Sequence, residues 1–165
     1  MKTLVAYFSQ TGNTKKIAEA IFDEITGEKD IKDIKYVSNF DGYDLIFVGS
    51  PVMEFNIPKN VTNLISENVA DKNMAFFMTH AVPEGFESIK SWTGSIEDFA
   101  ASGNFLGTFE CQGELAQPVY DMLMSSDNSE MKAFAEMSLS GKGQPDEKSV
   151  QKAKEFAKEI QAKVQ

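Results

Sequence analysis

Residues 3–14, TLVAYFSQTGNT, constrain this chain more than any other stretch. Leu4, Val5, Ala6, Tyr7 and Phe8 form an unbroken apolar run of strand-favouring residues. The composition then changes within one position to Ser9, Gln10, Thr11, Gly12, Asn13 and Thr14. A helical period follows at once in Ile17, Ala18, Ile21, Phe22 and Ile25. A buried strand, a short polar loop and a helix opening out of it make an anion site, because first-turn amides have no intrahelical partner. Ser9, Thr11 and Thr14 add hydroxyl donors. Lys15 and Lys16 occupy the first turn, where the macrodipole disfavours a cation by about 0.3–1 kcal/mol. An anion in the loop reverses that sign, so the pair supports an anionic ligand.

The loop is not a P-loop, which needs G-x-x-x-x-G-K-[ST], nor a G-x-G-x-x-G turn, since it holds a single glycine. Spacing alone leaves open an ordinary polar βα turn capped by Thr11 or Asn13. SQTGNT resembles the phosphate loop of the flavodoxin family, [ST]-x-T-G-x-T directly after the first strand.

The rest of the chain alternates. Gly27 is placed to stop the first helix. Ile31, Ile34, Tyr36 and Val37, with polar residues between them, predict a second strand at a sheet edge. Leu45, Ile46, Phe47 and Val48, bounded by turn residues, predict a central parallel strand ending in Gly49, Ser50 and Pro51. Pro58 is placed to open a helix that buries Val61, Leu64 and Ile65. Residues 74–78 predict the fourth strand, and Phe86, Ile89, Ile96 and Phe99 a helix weakened by Gly94. Residues 105–111 predict the fifth strand, and Val150, Ala153, Ala157, Ile160 and Val164 a last helix entered through Pro145 and Asp146. Between these lie two short helical segments, around 118–124 and 131–137, and residues 138–144 (SLSGKGQ) as a flexible connector. Four methionines here, Met122, Met124, Met131 and Met137, offer either an adaptable contact surface or filler for core gaps. The alternation specifies an α/β fold, a parallel sheet with helices on both faces, as one domain over residues 1–165.

In order and spacing, the elements resemble flavodoxins across nearly the whole chain. The resemblance implies five strands in the doubly wound order 2-1-3-4-5 and non-covalent FMN at the carboxyl ends of the strands. That placement of the flavin is taken from the family. The phosphate falls on Ser9, Gln10, Thr11, Gly12, Asn13 and Thr14. The ring falls between Ser50, Pro51, Val52, Met53, Glu54 and Phe55 after strand three and Thr79, His80, Ala81, Val82, Glu84, Gly85 and Phe86 after strand four. Where flavodoxins commonly place Trp and Tyr, these loops carry Met53 and Phe55, then Val82 and Phe86. Trp92 lies in the next helix and reads as packed. His80 reads either as a group facing the flavin or as a structural histidine. Glu54, Glu84 and Glu114 read as rim carboxylates or as solvated surface charge, and Cys111 either as a thiol approaching the flavin edge or as a buried, unreactive one.

Sixteen basic residues against 25 acidic ones leave a formal charge of −9. That argues against nucleic acid or an anionic membrane as partner and favours basic faces on proteins. No apolar run reaches the length of a membrane span, and the N-terminal run is too short for a signal peptide. One cysteine excludes an internal disulfide, and one cysteine with one histidine argues against zinc. A cytoplasmic location is expected. The resemblance implies an electron carrier working between a reductase and an acceptor enzyme, with no catalytic side chain required. Two alternatives stand beside it: an FMN-dependent NAD(P)H quinone or small-molecule reductase, and a flavin-free accessory protein that docks onto an enzyme.

Overall fold

The computed structural model describes residues 1–165. β1 (Lys2–Tyr7), β2 (Glu28–Asp33), β3 (Leu45–Pro51), β4 (Asn73–His80) and β5 (Asn104–Gln112) pair in parallel throughout, in the order β2-β1-β3-β4-β5. The helices are α1 (Asn13–Glu24), α2 (Lys59–Asn68), α3 (Ser88–Phe99), α4 (Gln117–Met124), α5 (Ser129–Ser138) and α6 (Glu147–Val164). The expected sheet order and α/β class are therefore present.

Alternation along the central strands explains the two layers. One set of strand side chains, including Leu4, Ile46, Val48, Met74, Phe76 and Met78, packs with Val61 and Ile65 of α2 and Ile89, Trp92 and Ile96 of α3. The opposite set, including Val5, Leu45, Phe47, Ala75 and Phe77, packs with Ile17 and Ile21 of α1 and Ala153, Ala157 and Ile160 of α6. Burial on both faces is why the central strands read as continuous apolar runs. Since α1 leaves β1 to one face and α2 leaves β3 to the other, the chain diverges between these neighbouring strands. A crevice opens there, beyond their carboxyl ends.

Several expectations change in detail. β2 ends at Asp33, because the Asp33 carboxylate accepts the Lys35 amide at 3.0 Å and starts a 3-10 turn over Ile34–Tyr36. Tyr36 is consequently 74% exposed. Pro58 caps α2 and does not occupy its first turn; φ −56 and ψ 140 are extended values that suit the residue before a helix. Phe99 is exposed, and Trp92 takes its expected place on the buried stripe of α3. Asp146 caps α6 by accepting the Ser149 amide at 2.9 Å, and that bond holds its carboxyl below the usual range.

The segment 138–144 is not a flexible connector. Ser138 is buried, and Leu139–Gly141 form a 3-10 turn. The Glu114 amide donates to the Gln144 carbonyl at 2.9 Å, and the Gly143 amide to a Glu114 carboxylate oxygen at 2.9 Å. Gln112 reaches the Ser140 hydroxyl at 2.9 Å. Long-range hydrogen bonds order what composition alone marks as a linker.

Candidate functional site

Gly12 sets the geometry of the first loop. It caps α1 at φ 95 and ψ −8, a left-handed conformation that side chains bearing a Cβ rarely adopt. The Ser9 hydroxyl accepts the amides of Gly12 at 3.2 Å and Lys15 at 3.3 Å. The amides of Asn13 and Thr14 have no acceptor within the chain, so the loop presents backbone donors at the positive end of α1. Gln10, Thr11 and Gly12 are exposed, and Ser9 and Asn13 partly so.

Thr14, expected as a hydroxyl donor, and the two lysines read as support for an anion are engaged within the chain. Thr14 is buried, its hydroxyl 2.8 Å from that of Thr79, because the second position of α1 faces the sheet. Lys15 pairs with Glu19 along the helix at 3.7 Å. The Lys16 amine donates to the Pro145 carbonyl at the entrance to α6. The lysine pair therefore carries no argument for a ligand; what remains is the loop backbone with the hydroxyls of Ser9 and Thr11.

The loops after β3 and β4 lie side by side, joined by the Val52 amide donating to the Thr79 carbonyl at 2.8 Å. Phe8, just ahead of the first loop, donates its amide to Gly49 at 2.9 Å. Met53 and Asn56 exchange both backbone hydrogen bonds at 2.9 Å, closing a tight turn with Glu54 at φ 49 and Phe55 at φ 61. Two successive left-handed residues favour Asn-Gly, and each non-glycine there is strained by about 1–3 kcal/mol. Two contacts hold the turn. Trp92 Nε1–H donates to the Phe55 carbonyl at 2.7 Å, and the Phe55 ring meets Phe134 of α5 edge-on, centroids 5.1 Å apart. Phe55 remains 55% exposed, an aromatic face on the loop after β3.

The side chains of Ser50, Thr79, His80 and Val82 are buried. The Ser50 hydroxyl donates to the Pro51 carbonyl at 2.8 Å. Pro51, Met53 and Ala81 are partly exposed, and Val52 and Phe86 pack their partly exposed side chains against the core. Gly85 turns the chain at φ 78. Both ring nitrogens of His80 meet groups of the chain itself: Nδ1 lies 3.0 Å from the Val82 carbonyl, and Nε2 faces a Glu110 carboxylate oxygen. The imidazole also lies 5.9 Å from the Trp92 ring.

The rim carboxylates are partly committed. Glu84 meets Lys152 at 3.2 Å in an exposed pair of small energetic value, and Glu114 holds the Gly143 amide. Asn13 donates to the Glu114 carbonyl at 2.9 Å, tying the first loop to the segment after β5. Sequence reasoning missed this bond, the Thr14–Thr79 contact and Phe134. Their partners lie far apart along the chain, and only the helical period around Phe134 gave any signal.

Cys111 is 3% exposed, and burial pushes its thiol up to about 12, with Glu110 adding to the shift. It is expected to resist a disulfide reagent in the native protein and react once urea unfolds the chain. Because the unfolded thiol ionises near 9, its contribution to stability is complete below that pH and is lost as pH rises toward 12. In Cys111→Ala, the fall in the urea midpoint between pH 8.5 and 10.5 is expected to be smaller than in the parent.

The profile described as Flavodoxin domain matches residues 4–158 of this chain. The chain belongs to the flavodoxin family. The flavodoxin-like domain-containing protein BilS of Clostridioides difficile is 36% identical, the match covering 99% of this chain and 98% of the relative. The crystal structure of oxidised flavodoxin 2 from Bacillus cereus superposes with a TM-score of 0.63 at 21% identity, covering 99% of each chain. A Lactobacillus acidophilus flavoprotein in complex with FMN superposes with a TM-score of 0.53 at 22% identity, covering 66% of this chain and 92% of that one. At such identities the two structures speak for the fold. No helix of this flavodoxin-family protein is long and apolar enough to cross a membrane.

Proposed function

We propose that the protein binds FMN non-covalently and carries electrons between a reductase and an acceptor enzyme. The observation behind this reading is the left-handed Gly12 at the head of α1, which leaves the amides of Asn13 and Thr14 open at the crevice between β1 and β3. The donor set fits a phosphate monoester, an acceptor-only group stabilised by backbone dipoles. Solution of a flavoprotein of the same fold with FMN adds support.

Bound FMN supplies one- and two-electron redox chemistry; the chain's own residues bind, orient and shield it. The open amides of Asn13 and Thr14 would hold the phosphate, with Ser9 and Thr11 as hydroxyl donors. The turn at Met53–Asn56, held by Trp92 and Phe134, presents Phe55 as an aromatic wall, and the backbone of residues 79–85 forms the other side. The −9 charge steers basic partners and makes the exchange slow as salt rises.

Calorimetric titration of the apoprotein tests the reading. FMN is expected to bind at one equivalent at least about 100-fold more tightly than riboflavin, corresponding to about 2.7 kcal/mol carried by the phosphate. Equal affinities for the two would remove the assignment of residues 9–14. Steady oxidation of NAD(P)H by a quinone, without added reductase, would replace the carrier with a reductase.

A further inference from the structure

The segment between β5 and α6 carries a surface that the flavin site does not use. α4 buries no residue, although Val119, Tyr120, Met122, Leu123 and Met124 make it rich in large apolar side chains. Val119 is 38%, Met122 62%, Met131 46% and Leu139 53% exposed, half of the exposed large hydrophobic residues of the whole chain. Two contacts tie α4 to the segment that follows it. Met131 of α5 receives the hydroxyl of Ser126, just past the end of α4, at 3.4 Å. Leu139 and Tyr120 line one shallow cleft of about 90 Å³ with Leu115. A free helix of eight residues is unstable alone in water, so leaving this face uncovered needs a reason outside the chain.

Two observations identify the occupant. The first is continuity: Phe134 on α5 touches Phe55 on the loop after β3, so whatever rests on the hairpin reaches the edge of the proposed flavin site. The second is charge. Residues 112–144 hold Glu114, Asp121, Asp127, Glu130 and Glu136 against Lys132 and Lys142, and none of the seven forms an ion pair within the chain. A second copy would set one −9 body against another. A partner with an apolar patch inside a lysine or arginine rim satisfies both the side chains and the charge. Methionines tolerate partners of differing shape.

We infer that the α4–α5 hairpin is the docking surface for the protein's electron-exchange partner, a protein with an apolar patch in a basic rim. The inference rests on the carrier function proposed above. Mitochondrial cytochrome c, a lysine-rich haem protein with an exposed apolar haem edge, serves as probe. Each ferric haem takes one electron from dithionite-reduced holoprotein and becomes ferrous. Met122→Ser combined with Met131→Ser is expected to lower the second-order rate with cytochrome c about tenfold. The rate with benzoquinone, too small to need the hairpin, is expected to stay the same. Equal loss with both acceptors, or no loss with either, overturns the inference. So does a wild-type dimer that the double variant dissolves, because the occupant is then a second copy. Amide shifts of the FMN-loaded protein titrated with cytochrome c are expected to concentrate at 117–139, and shifts elsewhere also overturn it. Failure of the parent reading shows separately, as a wild-type protein that takes up no FMN.

Discussion

Gly49→Ala is expected to destabilise the protein by about 3 kcal/mol, near the top of the range for overpacking a core. Gly49 pairs with Phe77 across β3 and β4, and a Cβ at position 49 would lie 2.0 Å from Phe77 Cε2 and 2.1 Å from Cζ. The ring cannot yield easily. Phe77 is completely buried, in a cluster with Phe47, Ala75 and Cys111 beneath α1 and α6. Interiors packed to crystal density transmit such a displacement to their neighbours. The same change at Gly94 is expected to act in the opposite direction. No heavy atom lies within 4 Å of a Cβ there, and the position is inside α3 without a positive φ. Gly94→Ala is therefore expected to add up to about 1 kcal/mol through helix propensity. Urea unfolding followed by circular dichroism reads both. A Gly49→Ala midpoint equal to the parent's would refute the packing argument, and a midpoint restored by Phe77→Leu would locate the strain at this pair.

Gly12→Val is expected to weaken FMN binding about 10- to 100-fold while leaving riboflavin affinity within about twofold. The cause is conformational. The side chain itself would enter open space, with no atom within 4 Å of a Cβ, so the fold should tolerate it. A β-branched residue cannot rest at φ 95, however, and relaxing that angle turns the Asn13 and Thr14 amides away from a shared focus. The strain of about 1–3 kcal/mol falls on whichever state needs the native loop. A phosphate needs it and riboflavin has none, so the ratio of the two affinities isolates the loop. Parallel losses for both ligands would mean that residues 9–14 support the ring and not the phosphate. A far-ultraviolet spectrum matching the parent excludes unfolding as the cause.

The sequence was legible wherever structure follows from local chemistry. The apolar runs of β1, β3 and β4 are continuous because both faces are covered, and the helical period located α1, α2 and α6. The first loop was visible because a lone glycine among small polar residues, between a strand and a helix, leaves few conformations. Reading side-chain roles from it succeeded less well. Spacing gave no sign that Thr14 faces Thr79, 65 residues away, or that Lys16 reaches Pro145, 129 residues away. Nor did it show that the two ring nitrogens of His80 meet Val82 and Glu110.

The sequence by itself determined the α/β alternation, the anion-ready loop and the acidic charge, since each depends on residues within about one element or on a simple sum. Tertiary structure alone decided that the Thr14 hydroxyl is spent on Thr79, what holds the strained Glu54–Phe55 turn, and that the Met-rich hairpin stays uncovered. Those outcomes depend on contacts between segments distant in the chain. The energy of such contacts is fixed by packing geometry that hydrophobic periodicity does not encode.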